Sequence, residues 1–119
     1  MSRQEALRGA LDAVERILNR GGDADDVLRA VVAVLRSRLD YEWVGIRFVE
    51  GDDLVLGPAE GAPGDPETTV PIAYEGVRIG ELAVAGDEAQ DRPLLERVAV
   101  LISAYCLVGW DTGGERWQP

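Results

Sequence analysis

The sequence predicts an α+β domain: an antiparallel sheet of about four strands, with helices before and after it. Two observations carry this. Apolar residues recur at helical spacing from Leu7 to Leu39 and again from Leu94 to Val108, whereas from Tyr41 to Ala85 they mostly alternate. In the stretch Val70 to Val84 (Val-Pro-Ile-Ala-Tyr-Glu-Gly-Val-Arg-Ile-Gly-Glu-Leu-Ala-Val), two apolar runs flank Glu75-Gly76, the pattern of a hairpin whose turn needs a positive φ.

The first helix is expected at about residues 3–20. Ser2-Arg3-Gln4-Glu5 fits a capping box, and Leu7, Leu11, Val14 and Leu18 form a stripe that Ala10 and Ile17 widen. Gly21-Gly22 stops it. Asp23 or Ala24 opens a second helix, with Asp25 and Asp26 in a first turn where carboxylates favour the helix dipole. Its stripe is Leu28, Val31, Val32, Leu35 and Leu39, and Arg36 and Arg38 suit its C-terminal end.

Tyr41 to Glu50 reads as the first strand. Val44, Ile46 and Phe48 lie on one face, and Trp43, Gly45, Arg47 and Val49 on the other. After the turn Gly51-Asp52-Asp53, the second strand runs from Leu54 to Glu60 and is interrupted by Gly57-Pro58, which places its end at a sheet edge. Gly61 to Glu67 is a loop by composition. Strands at about Thr68 to Tyr74 and Val77 to Ala85 form the hairpin. The last helix starts near Asp91, with Pro93 in its first turn, where a missing N–H costs nothing. It carries two adjacent apolar seams: Leu94, Val98, Leu101, Tyr105 and Val108, then Leu95, Ala99, Ile102, Cys106 and Gly109. That arc is wider than one sheet face requires. Residues 1–110 are read as one domain and 111–119 as a mobile tail, with Trp110 and Trp117 as candidate interface anchors.

The formal charge is −10, from 22 acidic residues against 12 basic ones. All the basic residues are Arg. With no basic stripe to displace counterions from phosphates, nucleic acid and anionic membranes are not expected partners. No apolar run approaches the ~20 residues that span a bilayer. The N-terminus lacks a signal pattern, so a cytoplasmic location is expected. Cys106 is the sole cysteine and there is no His. An intramolecular disulfide, a Cys/His zinc site and Ser-His or Cys-His nucleophile chemistry are therefore excluded. Asp23, Asp25 and Asp26 lack the spacing of a calcium loop. No cofactor is expected.

Three segments resemble GAF domains. Val27 to Glu50 ends Trp43-Val44-Gly45-Ile46-Arg47-Phe48-Val49. Val70-Pro71-Ile72 with Gly80-Glu81-Leu82-Ala83-Val84 is similar to the family's V-P-[IL]…G-x-L-x-[IV] pair. Leu94-Leu95-Glu96-Arg97-Val98-Ala99 is similar to its L-L-x-x-x-A helix start. The resemblance implies a GAF/PAS-like sheet in the order 2-1-4-3, with N-terminal and C-terminal helices on one face. Leu54-Val55-Leu56-Gly57-Pro58 also resembles free methionine-(R)-sulfoxide reductases of the GAF type. Those enzymes rely on cysteines after that strand, and this chain has none there. The insert that walls a small-molecule pocket in the family is shortened to Gly61–Glu67. Seven extended residues reach roughly 23 Å, enough to cross three strand spacings of about 14 Å. The family's cyclic-nucleotide signature and its bilin-attachment cysteine are both missing.

The expected function is a non-enzymatic regulatory or interaction module. A small-molecule sensor is the alternative, and a reductase-type enzyme is disfavoured by the cysteine count. Trp43 and Arg47, with Glu81, form the candidate ligand site. Two readings stay open for them: an anion-binding or aromatic-stacking patch, or a half-exposed face where Arg47 pairs with Glu81 across the strands. Cys106 is read as an inert core thiol. A homodimer is expected through the first and last helices. Its surface would be Leu7, Leu11, Val14 and Leu18 with Leu95, Ile102, Tyr105 and Cys106, in a four-helix arrangement that covers the second seam. A protein partner or small-molecule ligand is compatible with this reading.

Overall fold

The computed structural model describes residues 2–86 and 89–108. The expectations for the 111–119 tail, Gly109, Trp110 and Trp117 lie outside the described residues. Helix α1 (Arg3–Arg20) begins with the expected capping box: the Glu5 amide donates to Ser2 Oγ at 3.1 Å, and the Ser2 amide donates to Glu5 Oε1 at 3.2 Å. Helix α2 spans Ala24–Leu39 and ends at Asp40 in a left-handed conformation. Four strands follow, β1 (Trp43–Glu50), β2 (Asp53–Gly61), β3 (Glu67–Tyr74) and β4 (Val77–Ala85), then a 3-10 turn (Ala89–Asp91) that leads into α3 (Arg92–Val108).

All strand pairs are antiparallel, in the order β2-β1-β4-β3. The link from β2 to β3 is shorter than the loop read from composition, because both strands extend into it; residues 62–66 make the crossing. Its ends are pinned: the Ala62 amide donates to Glu42 O at 3.2 Å, and the Gly86 amide to Pro66 O at 2.8 Å. Gly57-Pro58 does not interrupt β2. A register shift between Gly45 and Arg47 absorbs it, and Pro58 sits on an edge strand where no neighbour needs its N–H. The β3–β4 turn places Glu75 and Gly76 at φ 51° and 82°, as two-residue hairpin turns require.

The helices lie on one side of the sheet, as expected, and form two layers. α2 and α3 cover the inner face formed by Val44, Ile46, Phe48, Val70, Ile72, Leu82 and Val84, and α1 packs across α2 and α3 as an outer layer. The reason is in the stripes. α2 buries Val27, Leu28, Val31, Val32, Leu35 and Leu39, apolar on two sides, because it lies between the sheet and α1. The double seam of α3 has the same cause: Leu94, Leu95, Val98, Ala99, Ile102 and Cys106 are all buried within one chain. A second chain is not needed to cover the second seam. Among the described residues no helix is long and apolar enough to cross a membrane.

One polar cluster ties the layers together. Asp91, only 1% exposed, accepts from Arg3 Nε at 3.1 Å, from Arg3 Nη2 at 2.6 Å and from the Tyr41 hydroxyl at 2.5 Å. Arg3 Nη1 also donates to Leu39 O at 3.0 Å. The start of α1, the end of α2 and the start of α3 thus meet at one carboxylate. Asp91→Ala would leave Arg3 and the Tyr41 hydroxyl without their acceptor. We expect a loss of about 2 kcal/mol, below the full cost of splitting a buried pair because Arg3 keeps some solvent. Urea unfolding measures it, and an unchanged midpoint would contradict this role.

Candidate functional site on the outer sheet face

Strand alternation sends Trp43, Gly45, Arg47 and Val49 of β1 away from the helices. Arg47 lies opposite Glu81 on β4 and opposite Leu56 on β2, and Glu81 lies opposite Pro71 on β3. The outer face is therefore centred on the two inner strands. Trp43, although on this face, is only 2% exposed. Gly45 makes room for it: a Cβ there would stand 2.5 Å from the indole ring. The Arg47 guanidinium lies over the ring, 5.3 Å from its centroid, close enough for cation–π attraction.

Two carboxylates hold that guanidinium. Nη1 donates to Glu81 Oε2 at 2.6 Å and to Glu67 Oε1 at 3.2 Å, and Nη2 donates to Glu67 Oε2 at 2.9 Å. Arg78 Nη2 donates to the second oxygen of Glu81 at 2.7 Å. The Glu67 hydrogen bonds, reinforced by Glu81 and opposed by partial burial, raise the Arg47 pKa above its ordinary value. Two Arg against two Glu make the cluster formally neutral. The structure brings Trp43, Arg47 and Glu81 together, and the cross-strand Arg47–Glu81 pair is present. It adds Glu67 and Arg78, which the sequence reading did not assign. Glu67 was placed in a loop by its Pro- and Gly-rich surroundings, and only the extension of β3 brings it onto this face. An incoming anion would meet a guanidinium already bound by two carboxylates.

Open clefts lie elsewhere. One of about 290 Å³ lies between α2 and β2, lined by Arg29, Val32 and residues 57–60. Another of about 380 Å³ lies between the starts of α1 and α3, with Leu7, Leu11, Pro93 and Leu94 flanked by Arg8 and Arg97. Cys106 faces the core on α3, and burial pushes its thiol up to about 12. Among the described residues no group of three or more Cys, Asp or Glu side chains is placed to hold a metal ion. Asp23, Asp25 and Asp26 stand at the start of α2, where Asp23 is the N-cap without a side-chain capping bond.

The strand order, the helices on one face and the short β2–β3 link can be set against known structures. Free methionine-R-sulfoxide reductase from Neisseria meningitidis, solved with its substrate, superposes with a TM-score of 0.78 at 20% identity, over 88% of this chain and 90% of that one. The GAF domain of a phosphoenolpyruvate-protein phosphotransferase from Coxiella burnetii superposes with a TM-score of 0.77 at 11% identity, over 90% and 96%. The chain has the GAF fold. A type II free methionine-R-sulfoxide reductase from Thermoplasma acidophilum is similar over 69% of this chain and 91% of that one, with a TM-score of 0.61 at 20% identity. No family sequence model and no curated relative matches. At these identities the likeness is one of fold, and the site has to be read from this chain's own residues.

The buried titratable groups predict an alkaline sensitivity. Burial raises the Cys106 thiol from its ordinary 9.0, and burial, aided by the Asp91 hydrogen bond, raises the Tyr41 phenol well above its usual range. Both groups are protonated more firmly in the folded chain. As pH rises past about 9 the unfolded chain releases these protons first, so stability is full below that pH and falls above it. Unfolding free energies measured across this range should fall less steeply in Cys106→Ala than in the wild type. Equal slopes would contradict the thiol's share.

Proposed function

We propose that this GAF-fold chain is a non-catalytic regulatory and interaction module, cytoplasmic and homodimeric, which works through its surfaces rather than through an enclosed ligand. The observation that carries this reading is the outer face. Its cation is bound by Glu67 and Glu81, its indole is buried beneath that cation, and residues 62–66 leave little chain to lid a pocket. The small-molecule sensor reading keeps one support, the convergence of Trp43, Arg47 and Glu81. A ligand there would first have to displace a carboxylate from Arg47.

The reductase reading draws on the likeness to the Neisseria meningitidis enzyme. Against it, the chain's one thiol lies in the core, on the helix side of the sheet, and stays protonated. An assay of the full chain with free methionine-(R)-sulfoxide and a thiol reductant should show no turnover. Turnover that is lost in Cys106→Ser would overturn the non-catalytic reading.

The homodimer proposed from the first and last helices now needs a smaller surface. Leu7, Val14, Leu95, Ile102 and Cys106 are buried in the single chain and are not available to a partner. Leu11, Leu18 and Tyr105 remain partly exposed. Beside them α3 exposes Val100 at 64% and Leu107 at 52%, seven residues apart on its outward side. Light scattering across a wide concentration range should report a dimer that Val100→Glu with Leu107→Glu splits without lowering the melting temperature. A wild-type monomer throughout would contradict the dimer.

A further inference from the structure

The free edge of the sheet at β2 has properties that neither the fold nor the outer-face cluster uses. The β1–β2 hairpin closes on Glu50 and Asp53 around the two-residue turn Gly51-Asp52, with Gly51 at φ 63°. In such a hairpin the closing residues exchange hydrogen bonds, and the exchange alternates along the ladder. Glu50/Asp53 and Phe48/Val55 therefore bond to each other, while Leu54 and Leu56 direct their N–H and C=O groups away from β1. Among the described residues no strand pairs with that side of β2.

The side chains match this backbone. Leu54 and Leu56 are 43% and 51% exposed on the outer face, next to Val49 at 39%, the register partner of Leu54. The opposite face of β2 carries exposed Asp53 and Glu60, with exposed Asp52 in the turn. From Glu50 to Gly61 there is no basic residue. The other edge, β3, is built differently: Pro71 removes an N–H from its middle and α3 packs along it.

We propose that the β2 edge is a docking site for an extended segment of another protein whose residues alternate apolar and basic. The segment adds as a fifth strand. Its backbone bonds to Leu54 and Leu56, its apolar residues lie beside Leu54 and Leu56 on the outer face, and its basic residues face Asp53 and Glu60. Charge complementarity selects this occupant over a second copy. A copy would bring an equally acidic strand from a chain of net charge −10, the arrangement by which natural edges avoid pairing with themselves. The proposal deepens the interaction role suggested above but uses a different surface from the helical dimer, so a monomeric wild type would leave it standing.

The test uses the full chain and three labelled synthetic peptides: valine alternating with lysine, the same composition in two blocks, and valine alternating with glutamate. Fluorescence anisotropy should show saturable binding of the valine-lysine alternating peptide alone, with amide shifts in a ¹⁵N–¹H spectrum centred on Leu54 and Leu56. Leu56→Pro, which removes an outward N–H that β1 does not need, should weaken binding about tenfold. Asp53→Arg with Glu60→Arg should transfer preference to the valine-glutamate peptide. This second variant keeps the test decisive if the proline variant folds poorly. Equal binding of the blocked peptide, shifts centred elsewhere, or a preference unmoved by charge reversal would overturn the proposal. So would self-association of the wild type that Leu56→Pro abolishes.

Discussion

A guanidinium stacked on an indole and held between two carboxylates sets the character of the outer sheet face. Arg47 lies on an inner strand, so the groups that satisfy it come from both sides: Trp43 on its own strand, Glu81 on β4 and Glu67 at the start of β3. A partly buried cation needs such partners, since removing water from it without them would be costly. Once made, the arrangement spans three of the four strands and fills the face that carries the candidate residues Trp43, Arg47 and Glu81. The five-residue link from β2 to β3 is compatible with it because no chain is needed to enclose a cavity.

The inner side of the molecule obeys a different constraint. Two helices must cover a sheet face lined with Val, Ile, Leu and Phe, and a third must cover those two. This explains why α2 and α3 are apolar on two sides and α1 on one. Asp91 joins the three helices at one end, where its carboxylate receives Arg3 from 88 residues away and Tyr41 from 50. The core and this polar tie leave an uncovered apolar strip on α3 and a free edge on β2. Both are apolar surfaces that the described residues leave uncovered.

Much of the fold was legible in the sequence because its signals are local. The capping box at Ser2 and Glu5, the alternation of Val44, Ile46 and Phe48, and the turn at Glu75-Gly76 each involve neighbours within a few residues. The Arg47–Glu81 pair was also readable, once the resemblance had supplied the strand order. The unreadable features depend on distant contacts. Nothing near Asp91 signals Arg3 or Tyr41, and Glu67 lies among Pro and Gly residues that read as loop. The double seam of α3 was ambiguous for a physical reason: an apolar arc shows that something covers it, but not whether the cover is a second chain or a helix of the same chain. Here Leu95, Ile102 and Cys106 are covered by the chain itself.

The outer face is closed by the protein's own ion pairs. Nuclear magnetic resonance of the full chain reads this directly through the Trp43 indole N–H and the Arg47 Nε–H, while mixtures of anionic and aromatic metabolites, methionine sulfoxide and cyclic nucleotides are titrated in. Both signals should stay in place at every ligand concentration. A saturable shift of both by one compound, with the indole shift abolished in Arg47→Gln, would show that the face opens to a ligand and would contradict its closure.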